Sequence, residues 1–120
     1  MPSLNKIMII GYLGRDVEMR FAPSGQPTTS FSVATSRRYK KNDEWQEDVE
    51  WFSVVTWAKL AETCNQILSK GSLVYVEGRQ QTRNWEDKDG VKHYKTELIA
   101  NKVDKLDKTE KAEDLDILPF

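Results

Sequence analysis

One stretch of this chain, Lys59–Lys70, breaks with the patterning on either side of it, and that break limits the folds available. Leu60, Cys64, Ile67 and Leu68 fall at i, i+4, i+7 and i+8, the apolar stripe of an amphipathic helix of about three turns. Gly71 follows, in the place of a glycine that ends a helix. Three β-type runs precede the helix. Leu4–Leu13 (LNKIMIIGYL) is apolar and Ile-rich, with Gly11 and Gly14 marking a bulge or sharp bend and Val17–Phe21 continuing beyond it. Thr28–Ser36 alternates after the turn-forming Ala22–Pro27, and Val49–Trp57 is dense in β-branched and aromatic residues. Two further runs follow: Leu73–Gly78, extended by Arg79–Trp85, then Val91–Val103, joined through the Asp-Gly signal of DKDG at Asp87–Gly90.

Three strands, one helix and two strands is the order of an OB-fold, a five-stranded Greek-key barrel with a helix between its third and fourth strands. An SH3-like barrel would not hold a three-turn helix there, and a βαβ sandwich would need more helix. The expectation is therefore an all-β OB-fold domain over residues 1–103. Residues 104–112 read as a short flexible linker, and 113–120 as an acidic C-terminal tip on a disordered tail.

The whole-chain net charge of −1 hides an asymmetry. Residues 1–103 carry 15 Lys/Arg against 13 Asp/Glu, whereas 104–120 carry 3 against 6. A mildly basic body with an acidic end suits an anionic ligand on the body and a separate role for the tail. Four Trp, four Tyr and four Phe are more large rings than a small barrel needs inside. Several lie among cations. Tyr39 and Trp45 fall in the polar hairpin or loop Arg37–Asp48, Trp85 follows Arg83 near the DKDG tip, and Trp51 alternates with Ser53 on the face opposite Phe52 and Val54. Trp57 ends that strand just before the helix. Flat rings stack on any base, and nearby cations neutralise phosphates, which together bind a single strand without sequence preference. Arg37, Arg38, Lys40, Lys41, Lys59, Arg79 and Arg83 are the phosphate candidates because they neighbour these aromatics; Arg15 and Arg20 are weaker ones.

The tip Asp114, Asp116, Ile117, Leu118, Pro119, Phe120 sets apolar anchors among acids, a peptide suited to a basic-rimmed hydrophobic pocket on a partner protein. Catalysis has little support. His93 has no apparent Ser or Cys partner, Cys64 sits on the apolar stripe of the helix, and no phosphate-cradling glycine loop is present. One Cys and one His are too few for a zinc site, so no metal or cofactor is expected. No signal peptide and no apolar run of about 20 residues stands out, so a cytoplasmic location without membrane contact is expected.

The segments NKIMIIGYLGRDVEMRF, VEWFSVVTWAKLAE and LSKGSLVYVEGRQQTRNWEDKDG, with the final DLDILPF, resemble the bacterial single-stranded DNA-binding protein family. The likeness covers residues 4–103 and the last seven. It implies protection of single-stranded DNA in replication, recombination and repair, recruitment of proteins of those processes by the tip, a homotetramer, and no enzymatic activity. It places base-stacking aromatics at Tyr39, Trp51, Trp57 and Trp85. Tyr39 stands where the family often has Trp, and Trp57 where Phe is frequent. Leu115 and Leu118 also depart from the family's more acidic tip. Trp45 has no counterpart, so a further stacking platform and an interface ring both stay open for it. Phe52 and Tyr75 are candidate interface rings. An adaptor of primosomal type, an OB domain with weak or no DNA binding, would lack either the stacking aromatics or the tip.

Overall fold

The computed structural model describes residues 2–107. The elements run β1 (Ile7–Leu13), β2 (Glu18–Phe21), β3 (Pro27–Lys41), β4 (Glu44–Trp57), α1 (Ala58–Ile67), β5 (Leu73–Glu86) and β6 (Lys92–Lys105). β1 and β2 are halves of one bent strand laid along β3: Tyr12 and Leu13 face Ala34 and Val33, and Glu18–Phe21 pair with Ser30–Pro27. β1 also pairs with β5, β5 with β6 and β3 with β4, all antiparallel. A short parallel pairing of β4 with β6, Val54 to Leu98 and Val55 to Ile99, closes the barrel. This is the expected five-stranded OB-fold with one helix after its third strand.

Alternation fills the interior. Phe31 and Val33 of β3, Val54 of β4, Val74 and Val76 of β5 and Leu98 of β6 are buried, and Cys64 of α1 with Leu68 just past its end close one end. The helix has weak ends of its own. Trp57 at its N-cap makes no side-chain capping bond, its first turn holds no acid, and Ala58 takes φ +57°. Tertiary contacts hold it instead. The buried Thr29 hydroxyl donates to the Ala61 carbonyl (2.7 Å), and the buried Thr56 hydroxyl donates back to the Thr29 carbonyl (3.2 Å). Thr29→Val, which keeps the shape and removes the donor, is expected to lower unfolding stability by about 1 kcal/mol in urea titrations. An unchanged midpoint would mean the bond carries no net stability.

The structure resolves one open alternative and shifts two expectations. Arg37–Asp48, expected as a hairpin or a loop, is the hairpin: β3 and β4 continue as a two-stranded ribbon to Lys41 and Glu44, turning through Asn42 (φ 52°) and Asp43 (φ 64°). Two successive positive φ values make the type I′ turn that matches strand twist. The helix stops at Ile67, so Gly71 (φ +89°) serves the next β-turn, closed by Ser72 N–H donating to the Ser69 carbonyl (3.0 Å). Finally, β6 runs past 103 to Lys105, and Leu106 N–H donates to the Leu73 carbonyl (2.8 Å). Ladder bonding along β5 holds these residues whatever their side-chain charge. The tip Asp114–Phe120 and most of the expected linker lie outside the described residues.

Candidate nucleic-acid interface

Register decides which side chains share a surface. Val54 and Thr56 point inward on β4, so Trp51, Ser53, Val55 and Trp57 point outward. Opposite them on β3 stand Ala34, Ser32, Ser30 and Thr28. Small neighbours leave the indoles uncovered. Trp51 lies against the backbone of Gly14, where a side-chain carbon would come within 2.6 Å of its six-membered ring. The bend between β1 and β2 thus supplies a bare floor for that indole.

The outward face continues across β6 and β5. Val55 aligns with Ile99, which places Ile99, Glu97, Lys95 and His93 beside the outward row of β4. Their partners on β5 are Arg79, Gln81, Arg83 and Trp85. Trp85 is bracketed: the His93 ring stacks on it at 5.4 Å and 21°, and the Arg83 guanidinium sits 4.8 Å from its centroid. Asp87 holds the imidazole, accepting from Asp89 and Val91 N–H (2.9 and 3.0 Å) through one oxygen and pairing with His93 Nε2 (2.8 Å) through the other. Those bonds, that to His93 foremost, hold the Asp87 carboxyl below its ordinary range.

Trp51, Trp57 and Trp85 are 57%, 43% and 42% exposed on this one face. Such exposure of apolar rings is unusual for a surface with no use. Arg83 spans Trp85 and the nearly buried Glu97 (3.5 Å). Arg79 is fixed by Gln81 (2.7 Å). Two further cations join them: Arg15 lines the hollow beside Trp51, and Arg15 and Lys95 border one open groove with Ser32 and Ser53. Lys95 was missed from the sequence, although strict alternation from Trp85 across the DKDG turn would have found it. Arg15 ranked low because nothing adjacent in sequence is aromatic; the fold brings Trp51 to it.

The remaining candidates divide. Lys59 is exposed on the first turn of α1, two residues from Trp57, and Lys41 is exposed at the end of the ribbon. Arg38 and Lys40 flank Trp45 at 5.1 and 6.0 Å. Tyr39 falls on the other face of the ribbon from Trp51, half-buried beneath Arg37 (4.7 Å), which itself pairs with Asp48 (3.1 Å). Phe52 packs against the core, whereas Tyr75 sits outward on β5 beside an exposed row of Met8, Ile10 and Tyr12.

Residues 4–106 match the Single-strand binding protein family. The chain belongs to that family. It is 48% identical over 106 residues to Single-stranded DNA-binding protein 1 of Chlorobaculum tepidum, covering 87% of this chain and 65% of that protein. It is 44% identical over 105 residues to Single-stranded DNA-binding protein of Neisseria meningitidis serogroup B, covering 87% of this chain and 60% of the other. The chain thus spans less than two thirds of the length of these two relatives. Against Single-stranded DNA-binding protein 1 of Xylella fastidiosa, 44% identical, 90% of this chain and 81% of the relative align. Among solved structures, the Plasmodium falciparum SSB complex with ssDNA superposes with a TM-score of 0.79 at 31% identity, over 89% of this chain and 98% of that one.

Membership in this non-enzymatic family fits the chemistry of Cys64. Burial pushes its thiol up to about 11 against a smaller opposing effect of a Thr56 hydrogen bond, the reverse of an activated nucleophile. No group of His, Cys, Asp and Glu among the described residues could hold a metal ion, and no helix among them is long and apolar enough to cross a membrane.

Proposed function

We propose that this chain binds single-stranded DNA without sequence preference and shields it during replication, recombination and repair. The observation that carries this reading is the outward alignment of Trp51, Trp57 and Trp85 with Arg15, Arg79, Arg83 and Lys95 on one face. Bases stack on the indoles while the phosphates follow the cations. Each stacked base contributes about 1–3 kcal/mol, a magnitude known for this very class of binder rather than one derived from this chain. Tyr39 adds a ring from the other side of the ribbon, with Arg37, Arg38, Lys40, Lys41 and Lys59 as outlying phosphate contacts.

The assembly is a homotetramer in this reading. Exposed Met8, Ile10 and Tyr12 on β1, with half-buried Leu73 and Tyr75 across the ladder on β5, form an apolar strip suited to a second copy. Tyr75 donates its hydroxyl to Glu77 (2.6 Å), and this bond chiefly raises the phenol's pKa and lowers the carboxyl's. The acidic tip Asp114–Phe120 recruits partner proteins of DNA metabolism through its apolar anchors. The adaptor alternative has no observation in its favour, since the rings it would lack are present and exposed.

Titration with oligo-dT tests the reading. Tryptophan fluorescence is expected to fall on binding, and the logarithm of the affinity to fall linearly with that of salt, at about −0.7 per neutralised phosphate. A protein that neither quenches nor responds to salt does not bind in this way. A parallel titration with oligo-U reports whether the 2′-hydroxyl is read.

A further inference from the structure

We propose that Trp45 is an additional base-stacking platform, carrying the single strand outward along the ribbon beyond Trp51; this rests on the DNA-binding reading above. Past Thr35 on β3 and below Val54 on β4, the described strands pair only with each other, so the ribbon stands away from the barrel with two solvent faces. It has no core to receive a large ring, and Trp45 is 63% exposed near its end.

The two faces differ in charge. Trp45, Glu47, Val49 and Trp51 of β4 share one face with Ser36, Arg38 and Lys40 of β3, a net of +1. The other carries Arg37, Tyr39 and Lys41 against Glu44, Asp48 and Glu50, a net of −1, with Arg37 already paired to Asp48. A polyanion leaving Trp51 therefore meets the more favourable field on the Trp45 side. Arg38 and Lys40 lie against the indole itself, each able to hold a phosphate next to a stacked base while making a cation–π contact with the ring. Trp45 stands six positions before Trp51 on the same face, a span of about 20 Å at strand rise. A strand long enough to reach both rings gains a contact that a short one lacks. The occupant is thus a nucleobase of the bound strand.

The test compares wild type, Trp45→Ala, Trp45→Phe and Trp51→Ala on a dT oligomer of about 30 nucleotides and one of about 8, the shorter within the site size of a single OB-fold. Trp45→Ala is expected to weaken binding to the long oligomer about five- to a hundred-fold, with a smaller loss on the short one, and Trp45→Phe to restore most of the affinity. The double variant Arg38→Gln/Lys40→Gln is expected to flatten the salt dependence on the long oligomer only. Wild-type binding by Trp45→Ala beside weakened binding by Trp51→Ala overturns this proposal and leaves DNA binding standing. Undiminished binding by both variants removes both rings from the binding surface and overturns this proposal, whereas absence of salt-dependent binding by wild type to either oligomer fails the DNA-binding reading and this one with it. A fall in the mass of free Trp45→Ala by light scattering, with affinity per protomer retained, makes Trp45 an interface ring and overturns the platform.

Discussion

Gly78→Ala is expected to lower the melting temperature by about 8–16 °C, corresponding to at least about 2 kcal/mol for a domain of this size. Gly78 sits in β5 where the register against β6 slips, opposite Ala100 and one residue from the bulge. A side-chain carbon built there would lie 2.1 Å from the Ile99 carbonyl oxygen and 2.8 Å from Ala100 Cα. Both are backbone atoms of a paired strand, so no rotamer change relieves the contact; the ladder itself must part. Ile99 also aligns with Val55 at the short pairing that closes the barrel, so the disturbance reaches that seam of the sheet. Gly25→Ala is the control. Gly25, unlike Gly78, has positive φ (91°), but no atom lies within 4 Å of its added carbon, so only about 1 kcal/mol of backbone strain is expected. Equal losses in the two variants would show that the close approach at Gly78 is not what limits the barrel. Thermal unfolding followed by circular dichroism makes the comparison.

Removing Trp51 and Trp85 together is expected to weaken oligo-dT binding about 30-fold to about 10⁴-fold, the sum of two stacked bases acting independently. Each ring is roughly half exposed and rests on polar or backbone neighbours, Trp51 on Gly14 and Trp85 between His93 and Arg83. The fold therefore has little to lose with them, and the double alanine variant should melt within a few degrees of wild type. That separation of affinity from stability is what distinguishes a contact surface from a misplaced core. Fluorescence anisotropy of labelled oligo-dT gives the affinity, since the variant loses two of its own reporters. Wild-type affinity in a folded double variant would remove both rings from the binding surface.

Side-chain periodicity made much of this molecule legible before any coordinates. One helix-period segment among period-two runs gave the strand–helix order, and the inward set Phe31, Val33 and Val54 followed from alternation because a half-buried strand has no other way to hide its apolar side. The outward position of Trp51 followed from the same count. The ribbon from Arg37 to Asp48 was harder, because polar side chains on both faces erase the alternation that signals a strand. Its ladder bonds join backbone groups and leave no trace in side-chain chemistry. The end of β6 was obscured for the same reason.

The chain's own residues thus determined the fold class and the core, and supplied the rings and cations on which the proposed ligand rests, since each depends on local periodicity and side-chain type. Which rings share a surface was decided only by strand pairing. That pairing set Trp85 on the side of Trp51, turned Tyr39 to the opposite side of the ribbon, brought Arg15 and Lys95 to one groove and stacked His93 on Trp85. Contacts between residues far apart in sequence depend on register, and a shift of one residue would send every one of these side chains to the other face.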